Sequence, residues 1–266
     1  EQLLLALFSG GHCLITGAPG LAKTLLVKSV SDLFHLKFQR IQFTPDLMPA
    51  DITGTEILEI GEDAKRRMVF VPGPIFANVI LADEINRTPP KTQAALLEAM
   101  EERRVTIDGE NHPLPPPFLV FATQNPIDFE GTYPLPEAQQ DRFLMKIIVN
   151  YPDTHEEVAV LRRHHEGFRP QNLEEAGIQP VASLADLQAM QDEVRAVTVE
   201  DKMFQYIYEI VKATRHSNDV LIGASPRAGI ALLNCSKAVA ALRGRNFVIP
   251  DDVKEFALPV LRHRVI

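Results

Sequence analysis

Short apolar runs alternate with helix-like patterns over the first 150 residues of the chain. The predicted strands are residues 13–15, 38–43, 79–84, 118–123 and 145–149. The run at 79–84 begins with four consecutive apolar residues, which is typical of a strand buried on both faces of a parallel sheet. Amphipathic segments, such as the one at residues 90–102, predict helices between the strands. This alternation predicts an α/β fold with a parallel sheet and right-handed crossovers.

Two β-hairpins are predicted within this α/β region. In the first, residues 55–60 and 68–71 alternate in polarity on either side of a turn that contains the basic triplet at 65–67. We interpret the triplet as a solvated turn, with a partner contact as the alternative. In the second, a strand from residue 104 reaches an Asp-Gly turn at 108–109.

The pattern becomes wholly helical after residue 150. We therefore predict an α/β domain over residues 1–150 and a small helical domain over residues 151–266. Thr154 and Thr198 each stand three residues before an acid, which predicts that each opens a helix with a capping box. Ser225 is predicted to cap a further helix whose first position is proline.

A glycine-bearing loop lies between the first strand and the first helix after it. Its backbone N–H groups and the helix N-terminus are expected to face an anion. Lys23 would reach the outer phosphates of a nucleotide, and the Thr24 hydroxyl would ligate Mg²⁺. An ordinary Gly/Pro turn before a surface helix is the alternative. The predicted nucleotide contacts are Gly17, Ala18, Pro19, Gly20, Leu21, Ala22, Lys23, Thr24 and Leu25.

Ala22 departs from the strict form of this loop, which has glycine immediately before the lysine. If the position required left-handed backbone angles, alanine would cost roughly 1–2 kcal/mol there. The methyl group is otherwise small enough for a close approach of the backbone to phosphate.

Two carboxylates end the apolar run at residues 79–84. Beside a phosphate loop, Asp83 is expected to bind Mg²⁺ directly or through water, and Glu84 to orient and deprotonate an attacking water. The alternative is a strand that runs into a capped helix.

Polar residues at two further strand ends extend this site. Asn125 follows the strand at 118–123, where its amide would hold the water or contact the γ-phosphate; a turn-forming Asn before proline is the alternative. Arg142 precedes the last strand and is predicted to be an arginine finger for a neighbouring subunit, a role that can contribute ~10³–10⁵ in rate. The alternative for Arg142 is a surface ion pair with Asp141 or Glu137.

Arg227 occupies the second position of a predicted helix in the C-terminal domain. The helix N-terminus and the guanidinium together would attract the γ-phosphate. Such a contact would couple the nucleotide state to the position of this domain, and a structural salt bridge is the alternative.

The charge balance is acidic, with a formal net charge of −8. It argues against extensive binding to a nucleic-acid backbone, although basic residues on the hairpins could line a pore. No apolar run approaches the ~20 residues that span a bilayer. Cys13 and Cys235 lie in apolar patterns, which predicts buried thiols and a reducing, cytoplasmic compartment.

With these residues identified, the chain resembles the MoxR family of AAA+ ATPases over essentially its whole length. The variant with Ala22 before the lysine is itself usual in that family and supports the match. The motifs that carry the resemblance are residues 17–24, 81–93, 96–102, 122–126, 131–138 and 225–227.

The resemblance implies a P-loop AAA+ α/β nucleotide domain with hairpin insertions, followed by an all-α lid. It implies ATP and Mg²⁺ bound where lid and sheet meet, with Asn125 as first sensor, Arg142 as finger and Arg227 as second sensor. It also implies a homo-oligomeric ring, usually a hexamer, that remodels or activates partner proteins, often with a von Willebrand A-type domain protein. Most family chains start further upstream, with a segment that helps to hold the adenine. The chain also starts inside a helix-like run and ends abruptly, so we expect a core trimmed at both ends.

Three functions compete at this point. An ATP-driven remodelling chaperone is the leading hypothesis. A nucleotide-gated scaffold with incidental turnover and a magnesium-chelatase-type motor subunit are the alternatives. A GTPase is disfavoured because Asn125-Pro-Ile-Asp128 lacks the lysine of the guanine-reading motif.

Overall fold

The computed structural model describes residues 1–60, 66–125, 131–169, 177 and 179–266. A short 3₁₀ turn, Ile85–Arg87, follows the fifth strand. The other elements, in chain order, are α1 (Gln2–Ser9), β1 (Cys13–Thr16), α2 (Lys23–Leu33), β2 (Phe38–Gln42), α3 (Pro49–Thr53), β3 (Gly54–Ile60), β4 (Arg66–Pro72), β5 (Val79–Asp83), α4 (Pro90–Glu102), β6 (Arg104–Ile107), β7 (Glu110–Pro113), β8 (Leu119–Gln124), α5 (Glu137–Gln140), β9 (Met145–Ile148), α6 (Thr154–His165), α7 (Leu184–Ala196), α8 (Asp201–His216), α9 (Pro226–Leu242) and α10 (Pro250–Leu261).

The centre of the molecule is a five-stranded sheet with the order β2-β5-β8-β1-β9, in which every pairing is parallel. The predicted α/β fold class is therefore confirmed, and the strand limits agree with the sequence prediction to within two residues. Because all strands run the same way, the loops after β1, β5 and β8 meet at one edge of the sheet.

Alternate residues of the central strands enter two separate cores. On β5, Val79 and Leu81 face one core together with α1, α2 and the C-terminal helices. Ile80 and Ala82 face the other core, where α4 and the base of the hairpins pack. A strand covered on both faces has no polar side, which explains the continuous apolar run.

Both predicted hairpins are present. β3 pairs with β4 and β6 pairs with β7, both antiparallel. The turn between β6 and β7 has positive φ at Asp108 and Gly109, as a two-residue hairpin turn requires. In the first hairpin, Lys65 lies outside the described residues, whereas Arg66 and Arg67 belong to β4. The interpretation of the basic triplet as a turn is therefore wrong for these two arginines.

The C-terminal helices pack on the side of the sheet that carries α1. The Gln191 side chain on α7 donates a hydrogen bond to the Leu7 backbone oxygen on α1 at 2.7 Å. The C-terminal helices are also attached to the α/β region at Asp141. Its carboxylate accepts hydrogen bonds from the Ser225 hydroxyl and from Arg264 Nε, both at 2.7 Å. These contacts fix the start of α9 against the segment just before β9.

Two of the three predicted helix caps differ from the structure. Asp153, one residue before Thr154, caps α6 and shares a capping box with Glu156. Helix α8 begins at Asp201 without a side-chain cap. Thr198 instead exchanges backbone hydrogen bonds with residues 246–248, so it cannot open a helix. Ser225 does cap α9, as predicted.

Candidate functional site

The predicted phosphate loop joins the end of β1 to the start of α2. Lys23 donates hydrogen bonds from Nζ to the backbone oxygens of Gly17 and Ala18, at 2.7 and 3.0 Å. The ammonium group therefore lies over the carbonyls of its own loop. A Cβ at Gly17 would lie 2.5 Å from the Val149 backbone oxygen, and Gly20 has a φ of 82°. Both positions consequently require glycine.

Ala22 adopts left-handed backbone angles, with φ 54° and ψ 26°. Alanine costs about 1–2 kcal/mol in this conformation. The sequence analysis made this cost conditional on left-handed angles, and the structure has them. As the N-cap of α2, Ala22 offers no side-chain acceptor to the first turn, which contains Thr24 and Leu25. The N–H groups of that turn and the positive end of the helix dipole are thus available to an anion.

The two predicted acids lie at the carboxyl end of β5. Thr123, on the neighbouring strand β8, donates its hydroxyl to Asp83 Oδ1 at 2.5 Å and accepts the Glu84 backbone N–H at 2.8 Å. Glu84 has a left-handed φ of 57°. Its Oε2 accepts a hydrogen bond from Gln42 Nε2 at 3.0 Å and lies 3.1 Å from Arg87 Nε. Neighbouring strands therefore fix the orientation of both carboxylates.

Arg40, Gln42 and Thr123 are site residues that the sequence analysis did not identify. Arg40 contacts Asp83 Oδ2 through Nε at 3.0 Å and through Nη2 at 2.6 Å, and the same Nη2 donates to Gln42 Oε1. Arg40 and Gln42 are two residues apart, so their side chains share one face of β2. That spacing is visible in the sequence, but it points to this site only when β2 is known to lie beside β5.

A cavity of about 350 Å³ separates the loop from the acids. Its size lies within the range of small-molecule sites. Burial lowers the pKa of the Lys23 ammonium, although the nearby carboxylates of Asp83 and Glu84 act in the opposite direction. The residues that line the cavity are Pro19, Gly20, Leu21, Ala22, Lys23, Thr24, Arg40, Asp83, Glu84, Thr123 and Asn125.

Most of the predicted site residues are thus brought together in one cavity. Asn125 lines it at the end of β8, between the acids and the loop. Gly17, Ala18 and Leu25 belong to the same loop and helix turn but do not line the cavity. Thr24 and Asp83 supply a hydroxyl and a carboxylate, which are oxygen ligands of the kind that Mg²⁺ prefers.

Arg142 and Arg227 line a second cavity, of about 500 Å³, and not the cavity beside the loop. Arg142 Nη2 lies 2.9 Å from Glu101 Oε2, and Arg227 Nη2 lies 2.6 Å from Glu101 Oε1. Arg142 also donates from Nη1 to the Leu97 backbone oxygen at 2.8 Å. Its ion-pair partner is therefore Glu101, not Asp141 or Glu137.

The expectation that Arg227 and the phosphate loop share one pocket is not met. The physical reason is the attachment of the C-terminal helices around Asp141, which places the start of α9 next to Arg142 and α4. The salt bridge that was the alternative for Arg227 is present, with Glu101. Both arginines thus belong to one surface that is distinct from the cavity holding Lys23.

A parallel sheet with a phosphate-type loop after one strand, acids after another and a helical C-terminal region defines a nucleotide-binding protein of the AAA class. The sequence profile described as "ATPase family associated with various cellular activities (AAA)" matches residues 12–145, and the profile of the AAA lid domain matches residues 212–266.

Comparisons with individual proteins place the chain more narrowly. It is 45% identical over 275 residues to Chaperone MoxR1 of Mycobacterium tuberculosis, which covers all of this chain and 70% of the relative. It is 47% identical to the uncharacterized protein YeaC of Bacillus subtilis, over 99% of this chain and 80% of that protein. The chain belongs to the MoxR family of AAA+ ATPases.

A solved structure shows the same fold. The crystal structure of a Cytophaga hutchinsonii protein, provisionally described as an ATPase, superimposes with a TM-score of 0.88 at 45% sequence identity. The match covers 100% of this chain and 81% of that one. The expected AAA fold with an all-helical lid is therefore confirmed. No described helix is long and apolar enough to cross a membrane.

Proposed function

We propose that the chain binds and hydrolyses Mg²⁺–ATP and works as an oligomeric remodelling chaperone. The observation that carries the proposal is one cavity lined by both halves of a nucleotide site. Lys23 and Thr24 come from the loop after β1, and Asp83 and Glu84 come from the end of β5. In this proposal, residues 1–150 form the nucleotide-binding domain and residues 151–266 form the lid.

The loop and helix α2 provide the phosphate contacts. Backbone N–H groups at the start of α2 bind phosphate oxygens, and the helix dipole favours their negative charge. Lys23, which bonds the carbonyls of Gly17 and Ala18 here, exchanges these for the outer phosphates when the nucleotide enters. The exchange is favourable because a charged donor forms stronger hydrogen bonds with a charged acceptor.

Thr24 and Asp83 would hold Mg²⁺. When bound, the ion neutralises negative charge on the phosphate oxygens. Arg40 occupies Oδ2 of Asp83 in this structure, so this guanidinium must share the carboxylate with the ion or leave it. The Thr123 hydroxyl keeps Oδ1 oriented in either case.

Glu84 is the proposed general base. Its left-handed backbone turn and its contacts with Gln42 and Arg87 hold the carboxylate at the cavity wall. From there it would orient a water for attack on the γ-phosphate and accept its proton. Asn125, at the end of β8, would hold the same water or contact the γ-phosphate.

Arg142 and Arg227 are proposed to act on the nucleotide of a neighbouring subunit. Both line the second cavity, and neither lines the cavity with Lys23, which favours the nucleotide of a second chain as their target. A guanidinium supplied in trans stabilises the charge that develops on the transferring phosphoryl group. This role requires a homo-oligomer, which we propose to be a hexameric ring in the cytoplasm. The proposed client is a partner protein, with a von Willebrand A-type domain protein as one candidate.

The Glu84→Gln variant tests the proposal. It removes the base but keeps the shape of the side chain, so turnover of ATP should fall by at least ~100-fold while ATP binding is retained. Glu193→Gln, an exposed change on α7, is the matched control and should behave as the wild type. Phosphate release and equilibrium binding of a fluorescent ATP analogue are the two measurements.

A wild-type oligomer that releases no phosphate would disprove the hydrolytic function. If Glu84→Gln abolishes turnover yet supports the partner protein as well as the wild type does, the scaffold alternative is the correct one.

A further inference from the structure

Glu101, on the last turn of α4, contacts both arginines of the second cavity with one carboxylate. Oε2 pairs with Arg142 and Oε1 pairs with Arg227. Arg142 lies just before β9, and Arg227 lies at the start of α9 in the C-terminal region. A single side chain thus holds together two guanidinium groups that come from separate parts of the chain.

The orientation of Arg142 is fixed at two points. Its Nη1 donates to the Leu97 oxygen while its Nη2 meets Glu101, and these two residues are one helical turn apart on α4. A guanidinium bound through both ends of its fork has little freedom to rotate. Among the described residues, the contact with Glu101 and the attachment of α9 keep Arg227 beside Arg142.

The charges that line this cavity do not balance. Four arginines line it, against two carboxylates, Glu101 and Asp141. Asp141 is committed to the buried Arg264 at 2.7 Å. Glu101 is therefore shared between Arg142 and Arg227, and one negative charge cannot neutralise two guanidinium groups. The described lining keeps an excess of positive charge, which suits a polyphosphate.

We propose that Glu101 is a positioning residue that holds Arg142 and Arg227 side by side, ready for the phosphates of a nucleotide on a second copy of this chain. The inference rests on the proposed function, because it needs a neighbouring subunit with bound ATP. It gives Glu101 a role in the mechanism that the catalytic residues alone do not supply.

If Glu101 served only to stabilise the fold, its loss would lower the free energy of unfolding, which the positioning role does not predict. The side chains of Glu101, Arg142 and Arg227 are 40%, 31% and 49% exposed. Ion pairs this accessible to solvent contribute little to folding. Loss of Glu101 should therefore leave stability and the loop cavity intact, and should change only the step that uses the two arginines.

The experiment compares Glu101→Gln with Glu102→Gln in the assembled protein. Glu102 is the adjacent acid on α4, is half exposed, and pairs with Arg104 at 3.2 Å outside the cavity lining. In Glu101→Gln, kcat should fall about 10- to 100-fold, the size expected for displaced catalytic groups, while the Kd for ATP stays unchanged. Glu102→Gln should retain the wild-type kcat. Glu101→Asp, which keeps the charge, should recover part of the loss.

A double-mutant cycle supplies a second readout. Residues that act as one unit show non-additive losses. In an Arg142→Ala, Arg227→Ala background, Glu101→Gln should lower kcat by less than about twofold.

The inference is overturned if Glu101→Gln retains kcat within twofold of the wild type, or if its loss is undiminished in the double-arginine background. A loss of ATP binding in Glu101→Gln would also overturn it, since that points to a structural role. If the wild type itself turns over no ATP, the proposed function fails first, and the inference fails with it.

Discussion

Two non-glycine residues of the candidate site hold left-handed backbone angles. Ala22 precedes the phosphate-binding turn of α2, and Glu84 follows β5. Such conformations are strained for residues with a Cβ and occur preferentially at functional sites. At Glu84 the strain directs the carboxylate into the cavity. At Ala22 it opens the first turn of α2 without placing a side chain in front of it.

Relief of the strain at Ala22 should stabilise the fold. Ala22→Gly removes a cost of about 1–2 kcal/mol, which exceeds the ~0.4–1 kcal/mol lost through the greater freedom of the unfolded chain. We expect the free energy of unfolding to rise by up to about 1 kcal/mol in a urea titration. Ala18→Gly is the control: Ala18 has no positive φ, so the change should not stabilise. Equal stabilisation in both variants would refute strain at Ala22.

His12 should make the protein less stable in mild acid. It lies buried between β8 and α4, accepts the Val120 N–H at Nδ1, and contacts the Met100 oxygen through Nε2. Burial lowers the pKa of His12 to about 4, from 6.5 in the unfolded chain. The unfolded state therefore binds the proton first, and stability is lost as the pH falls from about 6.5 to about 4.

Protonation of His12 should lower the free energy of unfolding by about 3 kcal/mol as the pH falls from about 6.5 to about 4. Urea titrations at pH 7 and pH 4.5 measure most of this change. A His12→Gln variant should lose only the share due to His12, because buried His263, whose pKa is also lowered, to about 3, keeps its own share; His35→Asn, an exposed position, should retain the whole pH dependence. An unchanged pH dependence in His12→Gln would show that this imidazole is not the group responsible.

At the level of elements, hydrophobic periodicity was enough to predict each central strand, both hairpins and most of the longer helices, although α7 was not predicted. Parallel pairing was also predictable, because a buried strand next to an amphipathic helix has few alternatives. The lateral order of the strands is different, since it depends on contacts between distant segments. Arg40 and Gln42 were missed for this reason: they reach Asp83 and Glu84 only because β2 pairs with β5.

Helix starts show a similar limit. Thr198 and Asp201 have the spacing of a capping box, but local spacing does not reveal that Thr198 pairs with the segment around Phe247. At α6 the N-cap is Asp153 and not the predicted Thr154, because the Asp153 carboxylate accepts the Glu156 N–H while the Glu156 side chain accepts the Asp153 N–H.

The attachment of the helical region depends on Asp141. In Asp141→Ala the buried Arg264 loses its carboxylate partner and Ser225 loses its acceptor. Removal of one partner from a buried ion pair costs about 3 kcal/mol or more. Thermal unfolding should therefore show a clear decrease in Tm.

Asp192→Ala is the matched control for this change. It removes an ion pair with Arg195 in which both side chains are about 70% exposed. Such a pair contributes at most about 1 kcal/mol, so Tm should hardly move. If Asp141→Ala were as stable as Asp192→Ala, the contacts around Asp141 would not be what holds α9 in place.

At the level of the whole molecule, the structure separates two surfaces. One cavity holds Lys23, Asp83 and Glu84, and a second holds Arg142 and Arg227 with their shared partner Glu101. Residue types and motifs predicted Lys23, Asp83 and Glu84 on one surface and Arg142 and Arg227 on the other, but not Glu101. Their separation followed from the packing of α9 and α10 near β9, a tertiary arrangement that no local pattern encodes. A single chain therefore carries two complementary halves of the proposed catalytic site.

Titration of Mg²⁺–ATP into the purified wild-type protein and into Lys23→Ala, followed by calorimetry, tests the central claim most directly. We predict one binding site per wild-type chain. Loss of the Lys23 ammonium removes charged hydrogen bonds to phosphate, so Lys23→Ala should weaken binding by at least ~10-fold. Absence of binding in the wild type, or equal affinity in the two proteins, would contradict a nucleotide site between the loop and the acids.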